Sequence, residues 1–406
     1  MEVNTSRLLA TAFPYLQIFS VFALTPPPQS FGKTSYHRLK RYLMAGYCGY
    51  ALAILALVFF VTYVNIVAII QEVEDYQVAD FTKVMGNTQK ILLSVMSIAN
   101  HLNMLFNYRR LGGIYKDIAD LEAKINDASQ CFGGQVHRFS FRFRLAIGVG
   151  LWLILLVGLM PRFTLLAMGP YINWPCKILS EFVLVMQQLK NLEYCVFVLL
   201  IHELVLRLRH TLLHLKMELM DCDSQDMLRA LSVALKRNQL LIGQVWRLGV
   251  ELATYFTVSM IMLFLYNGLT ILHVTNWAYI NTFYDDDCCR YDRFGTCSLL
   301  LINLLLACFL SQRCTNAYNS FPRILHQIQC LPAVTDFRPL NMGIREYSLQ
   351  TQHLRLLFTC GGFFDINLKY FGGMLVTILG YTIILIQFKV QTIAETKYKS
   401  IYNSTT

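Results

Sequence analysis

The chain has 406 residues, of which 55% are hydrophobic and 15% are charged, and its mean hydropathy is +0.44. Soluble domains carry about 25% charged residues, so this composition excludes a soluble globular class and predicts a membrane protein. The net charge is +10, but the basic residues are spread over loops in the way that is typical of cytoplasmic loops, and we predict no nucleic-acid partner.

The N-terminal segment, residues 1–41, contains an apolar run from Leu8 to Leu24 that Pro14 interrupts. A signal peptide would need a more basic start and a small-residue cleavage site. We therefore interpret this run as a helix that lies against the membrane face.

Seven later stretches are apolar and long enough to cross a bilayer as helices. In chain order they are Tyr42–Ile70, Phe81–Phe106, Phe143–Met168, Lys177–Val205, Leu252–Val274, Cys297–Gln312 and Ile366–Val390. The predicted fold class is therefore an all-α membrane protein with seven transmembrane helices. The predicted regions are spans one to four with a ligand pocket (42–206), a helical extension (207–251), spans five and six (252–312), an anchor (313–365), span seven (366–390) and a tail (391–406).

Near-helical spacing of apolar residues continues beyond the fourth span and before the fifth, through residues 207–251. The stretch from Leu349 to Phe358 follows a similar pattern. These patterns predict that spans four and five extend as helices into the cytoplasm and contribute to a helical anchor bundle.

The loops alternate in their content of Lys and Arg. The segment before Tyr42 and the loops after spans two, four and six are rich in basic residues, whereas the loops after spans one and three contain no Lys or Arg. The positive-inside rule then places the N-terminus in the cytoplasm and the C-terminus outside the cell. The glycosylation acceptor Asn403-Ser404-Thr405 agrees with this orientation, because such a site is used only outside the cytosol.

Charged residues inside membrane spans are rare and usually functional. Lys90, Arg162 and Glu181 lie in the predicted outer halves of spans two, three and four. They could line one ligand pocket, or Lys90 and Arg162 could extend their ends to the headgroups. Gln188 and Tyr255 are further pocket candidates, although such side chains are equally ordinary in a helix interface.

Lys190 and Glu193 lie deeper in span four, three residues apart, so they can neutralise each other on one helix face. Four cysteines fall at or near the outer side and leave a disulfide open, with no pairing indicated: Cys176, Cys288, Cys289 and Cys297. The sequence has no phosphate-binding glycine loop, CxxC pair or HExxH motif, and we predict no enzyme, no metal site and no cofactor.

The seventh span carries a stripe of mostly small or polar residues at steps of four and three, which places them on one helix face. They are Gly373, Thr377, Gly380, Ile384, Gln387 and Gln391. Such a stripe would be costly against lipid, so it must meet protein or water. It is either a seam for helix packing or the wall of a pore that copies of this helix share.

Tyr381, Gln387 and Phe388 resemble the signature in the last membrane helix of insect gustatory receptors, which reads Thr-Tyr, five apolar residues, then Gln-Phe. Gly380 departs from this signature, because the family has Thr there. Residues 359–367 resemble the family segment that leads into the same helix.

The resemblance implies a ligand-gated, non-selective cation channel that a small-molecule tastant opens, in the plasma membrane of sensory neurons. It also implies a homo- or heterotetramer whose cytoplasmic bundle holds the subunits together. The family's pore helix points to Thr377, Gly380, Ile384 and Gln387 as pore-lining residues. An insect odorant receptor is the nearest alternative, and a secondary transporter would be expected to show repeated halves with broken helices. The class of tastant stays open.

Overall fold

The computed structural model describes residues 6–27, 37–74, 81–130, 138–165, 172–222, 224–283, 290–332, 334 and 337–405. Within these ranges the chain is almost entirely helical and contains no strand, apart from an isolated bridge between Thr359 and Asp365. The helices are α1 Arg7–Val21, α2 His37–Glu74, α3 Phe81–Gln130, α4 Arg138–Leu145, α5 Trp152–Leu165, α6 Trp174–Met220, α7 Gln225–Phe283, α8 Arg290–Tyr318, α9 Phe321–Gln329, α10 Arg338–His353 and α11 Leu368–Thr405. A π-helical turn, Ala146–Leu151, joins α4 to α5.

Each predicted span lies within one of these helices, apart from the third, which runs across α4 and α5, and the seventh, which begins two residues before α11. The last residues of the third span, 166–168, lie outside the described part. Among the described residues, five segments are apolar and long enough to cross a membrane: Tyr42–Gln71, Phe141–Leu165, Gln225–Trp277, Tyr291–Gln329 and Leu368–Thr392. The other two predicted spans, in α3 and α6, are more polar. A helix that meets protein on its sides can carry polar groups that lipid would not tolerate.

Helix α6 lies at the centre of the bundle and packs against α3, α5, α7 and α8. Its residues from 183 to 205 are all buried. This burial explains why α6 carries amides and charges in its middle, because each of them faces another helix of the chain. The core of the protein is therefore built around one of the two more polar predicted spans.

Helix α1 begins at an N-cap, where the hydroxyl of Ser6 accepts a hydrogen bond from the backbone N–H of Leu9 at 3.2 Å. Its apolar side chains are buried against α3 and α6: Leu8, Leu9, Ala12, Leu16 and Phe19. The sequence interpretation placed this run against the membrane face. In the structure its apolar face is instead covered by helices of the same chain.

The anchor bundle consists of α9, α10 and the adjoining ends of α3, α6 and α7. As predicted, α6 and α7 continue as single helices through most of residues 207–251, with a turn between Met220 and Gln225. Asn238 of α7 connects three helices, because its Nδ2 donates to the carbonyl of Leu208 at 3.2 Å and its Oδ1 accepts from the Tyr347 hydroxyl at 2.6 Å. Burial raises the pKa of Tyr347 well above its usual value, so this phenol stays a donor.

The predicted helix over Leu349 to Phe358 ends early, at His353. The chain then turns toward α11, and the N–H of Ile366 donates to the carbonyl of Phe358 at 2.8 Å. Gly361 and Gly362 have φ values of +58° and +83°, a region that favours glycine. A Cβ at Gly361 would also lie 3.1 Å from Cγ2 of Thr257. Residues 354–358 therefore belong to a tight connection and not to the preceding helix.

Helix α11 extends beyond the predicted end of span seven, through the predicted tail, to Thr405. The side chain of Asn367 caps its start, because Oδ1 accepts from the N–H of Tyr370 at 2.8 Å. Phe364 and Tyr370 stack with ring centroids 4.0 Å apart and fix the entry of the chain into the helix. Asn403 lies in the last turn of this helix, and its side chain is outside the described part.

Candidate functional site

Polar side chains from four helices meet around Glu181, and we call Gln89, Thr164, Glu181, Tyr266 and His273 the Glu181 cluster. Gln89 of α3 donates from Nε2 to the Tyr266 hydroxyl of α7 at 3.5 Å, and its Oε1 lies 2.9 Å from Nδ1 of His273. Glu181 of α6 is 3% exposed and lies beside Thr164 of α5 and near Tyr266. The cluster joins four helices in the half of the bundle that the charge pattern predicts to be the outer one.

The three charged residues that the sequence grouped as one pocket have different surroundings. Glu181 is buried, Lys90 is partly buried on α3, and Arg162 is exposed on α5. The exposure of Arg162 fits the alternative in which its guanidinium reaches the headgroups. Glu181 is therefore the predicted charge that lies inside the helix bundle.

Gln188 belongs to a network of amides between α6, α7 and α8. Its Oε1 accepts from Nδ2 of Asn267 at 3.1 Å and from Nδ2 of Asn303 at 2.8 Å, and its Nε2 donates to Oδ1 of Asn267 at 2.8 Å. Trp152 extends the network to α5, because its Nε1 donates to Oδ1 of Asn303 at 2.8 Å. These hydrogen bonds occupy most of the polar capacity of Gln188, so its side chain holds helices together.

Lys190 and Glu193 form the ion pair that the sequence predicted, with 2.8 Å between Nζ and Oε2. Nζ of Lys190 also donates to the carbonyl of Leu24, just after α1, at 3.2 Å. The ammonium lies 5.3 Å from the ring centroid of Tyr255 and 5.0 Å from that of Phe256. This arrangement confirms the structural interpretation of the pair, and it places Tyr255 beside a buried charge.

Sequence reasoning did not assign a role to Gln89, Trp152, His273 or Asn303. Each is a polar or amphipathic side chain within a predicted membrane span, and its partner lies on another helix. The available signal was the polar residue itself, since an amide in an apolar span must find a partner. The identity of the partner required the tertiary structure.

The stripe on α11 lies on the side of the helix that the rest of the chain leaves uncovered. Gly373, Thr377, Gly380, Ile384, Gln387 and Gln391 are all exposed in the single chain. The opposite side contacts α7 and α8 through Met374 and Ile378, and Thr382 is 6% exposed. Because successive residues are about 100° apart, Ile378 and Gly380 point in roughly opposite directions.

The motif residues Tyr381 and Phe388 are exposed to 57% and 65%. They are seven residues apart and lie on one face, next to the stripe. A Cβ added at Gly380 would have no neighbouring atom within 4 Å. A threonine, the residue of the family signature, would therefore fit at this position in the single chain.

The cysteines in the described part of the chain are free thiols. Cys176 and Cys297, two of the predicted outer cysteines, are free, and Cys288 and Cys289 lie outside the described part. Cys360, in the connection before α11, is buried. Its burial, and to a smaller extent the nearby Asp365 carboxylate, raises the pKa of its thiol to about 12.

Three comparisons relate the chain to known proteins. The sequence profile of the 7tm chemosensory receptor family matches residues 12–392. A Drosophila melanogaster protein that carries the name gustatory receptor 98b is 68% identical over 403 residues, which is 99% of this chain and 100% of that protein. The protein named gustatory receptor 98c from the same species is 51% identical over 399 residues, 98% of each chain.

The fold is similar to that of the insect olfactory receptor OR5 from Machilis hrabei. The structure of OR5 in complex with eugenol gives a TM-score of 0.64 at 13% identity, over 94% of this chain and 100% of that one. A second structure of OR5 gives a TM-score of 0.61 over 92% and 98%. The profile match and the two long, highly identical relatives together show that this chain belongs to the insect gustatory receptors of the 7tm chemosensory receptor family.

Proposed function

We propose that this multi-pass membrane receptor is a cation channel that a small-molecule tastant opens, and that it acts in the plasma membrane of sensory neurons. The observation that supports this most is the position of the α11 stripe. Its small and polar residues lie opposite the face that packs on α7 and α8. If copies of the chain assemble around an axis on that side, the stripe meets water and other subunits instead of lipid.

In the proposed assembly, four subunits of the same or related receptors surround the pore. Gln387 supplies one amide per subunit, which can replace part of the hydration shell of a cation without binding it strongly. Ile384, one turn away on the same stripe, forms an apolar constriction that excludes water when the channel is closed. Tyr381 and Phe388 lie beside the stripe and pack against the neighbouring subunit.

The ligand in this proposal binds in the outer half of the bundle, where the Glu181 cluster lies. Lys90 is a further member of the proposed pocket, and Gln188 shapes it through the amide network. Tyr255 lies deeper, beside Lys190, and is not assigned to the pocket. Ligand binding would bias the packing of α3, α6 and α7 and so the position of α11, which rests on α7 and α8.

The test is a compound screen on cells that express the chain, alone and together with related receptors. A channel conducts when agonist is added with no gradient of a coupled substrate, whereas a carrier requires that gradient. Cells with the expression vector alone are the control. A current that appears solely when a substrate gradient is imposed would replace the channel with a transporter.

A further inference from the structure

Buried glutamates in this protein follow a pattern with one exception. Four glutamates are buried in the described part of the chain: Glu122, Glu181, Glu193 and Glu203. Three of them each have a cationic nitrogen within 3.0 Å, in the pairs Glu122–Arg207 at 3.0 Å, Glu193–Lys190 at 2.8 Å and Glu203–Arg144 at 2.6 Å. An ionised carboxylate away from water is costly unless it is paired, and these three pairs satisfy that requirement.

Glu181 is the exception. It is 3% exposed, and neither of its carboxylate oxygens has a hydrogen-bond partner among the described residues. The Thr164 hydroxyl lies beside it, but that hydroxyl donates its proton to the carbonyl of Met160 at 2.8 Å. Two acceptor oxygens are therefore buried and unused at a junction of helices.

The surroundings of Glu181 have the features of a recognition site for an organic cation. The phenol of Tyr266 lies on α7 and accepts a hydrogen bond from Gln89, so an aromatic side chain lies near the Glu181 carboxylate. Glu181 is seven residues after the start of α6, or roughly 10 Å along the helix. The first residue, Trp174, is 57% exposed, so the site is close to the end of the bundle.

We infer that Glu181 is the group that recognises a ligand carrying a protonated amine. This inference rests on the proposed function as a ligand-opened receptor and adds the chemical class of the ligand. The ammonium N–H groups of such a ligand supply the charge-assisted hydrogen bonds that the described residues do not give this carboxylate. A neutral ligand of the same shape leaves the carboxylate unpaired, and so it binds more weakly.

The test uses the full-length receptor, purified in detergent, and measures ligand binding by protection against heat unfolding. The probes are a series of primary amines from methylamine to 2-phenylethylamine, each matched with the alcohol of the same skeleton. The variant is Glu181→Gln, which keeps the shape and removes the charge. Glu218→Gln, at an exposed position near the other end of α6, is the matched control.

We expect the amines that fit the site to reach half-saturation at concentrations about tenfold lower than their alcohols, and Glu181→Gln to abolish this difference. Glu218→Gln should preserve it. Because Glu181→Gln removes an unpaired buried charge, it should unfold at the same temperature as the parent protein or higher, so misfolding does not obscure the result.

Equal protection by amines and alcohols in the parent protein would overturn the inference, as would a preference for amines that persists in Glu181→Gln. Neither result bears on the channel, because heat protection requires no current. Conversely, if no agonist evokes a current but the receptor still prefers amines, the proposed channel function is wrong and the amine site is supported.

Discussion

Nζ of Lys190 lies 2.8 Å from Oε2 of Glu193, and the two side chains are 2% and 0% exposed. Removal of one partner leaves a buried charge with nothing to balance it. We expect Lys190→Met to lower the free energy of unfolding by about 3–5 kcal/mol, measured by heat or denaturant unfolding of the purified receptor. The double variant Lys190→Met/Glu193→Leu should recover most of this loss, since it removes both charges.

The matched control for this pair lies in the anchor bundle. Lys236 and Glu346 form an ion pair of similar length, with 2.9 Å between Nζ and Oε2, but their side chains are 54% and 57% exposed. Lys236→Met should therefore cost less than about 1 kcal/mol. If Lys190→Met lowered the free energy of unfolding by no more than Lys236→Met, burial would not determine how much the ion pair contributes to stability.

The amide of Gln188 should contribute more to stability than to ligand choice. Gln188→Leu leaves the buried amides of Asn267 and Asn303 without one or more partners, at a cost of about 1–3 kcal/mol in the free energy of unfolding. Gln312→Leu is a control, because that amide bonds to Asn316 on an exposed face. Unchanged unfolding together with a shifted agonist dose-response would instead assign Gln188 to the ligand site.

The α11 stripe predicts the effects of two substitutions on permeation. Gln387→Ala should change ion selectivity or single-channel conductance, because it removes the proposed ring of amides. Ile384→Ser should raise the current that flows without agonist, because a hydroxyl hydrates the proposed apolar constriction. Both are measured by patch clamp on the agonist-responsive assembly.

Cysteine substitution tests the direction of the same face. Cysteines at Ile384 and Gln387 should be blocked by a water-borne thiol reagent in the open state, whereas a cysteine at the half-buried Leu385 should be spared. Equal protection at the three positions, with unchanged permeation in Gln387→Ala and Ile384→Ser, would mean that the stripe is a packing seam.

The native thiols should differ sharply in reactivity. Cys360 is 1% exposed and its pKa is raised to about 12, so almost none of it is thiolate near neutral pH, whereas Cys330 is exposed. Iodoacetamide at about pH 8 should modify Cys330 and spare Cys360, as read by mass spectrometry of peptides. Both should react in denaturant, and equal modification of the folded receptor would show that the connection before α11 opens readily.

The predicted orientation has a direct test. An antibody should label a C-terminal epitope on intact cells. It should label an N-terminal epitope only after the cells are permeabilised. Asn403→Gln should also remove a glycan and increase electrophoretic mobility. Labelling of the C-terminus that requires permeabilisation would reverse the orientation, and with it the outer position assigned to the Glu181 cluster.

The sequence by itself determined the membrane class, the positions of the predicted spans and the stripe on the last helix. Each of these depends on the length or the period of a local pattern, which the chain carries within one helix. The ion pair of Lys190 and Glu193 was likewise readable, because its partners are one helical turn apart.

The tertiary structure decided which polar groups are paired. Arg207, which pairs with Glu122, is 85 residues away in the chain, and Asn303 is 115 residues from Gln188. The sequence shows equally polar residues at Glu122, Glu181 and Glu203 but does not show which helices face one another. Packing decides that Glu181 is buried with no ion pair to any described residue. Burial of a carboxylate depends on its own helix and its neighbours, whereas its partner comes from a distant part of the chain.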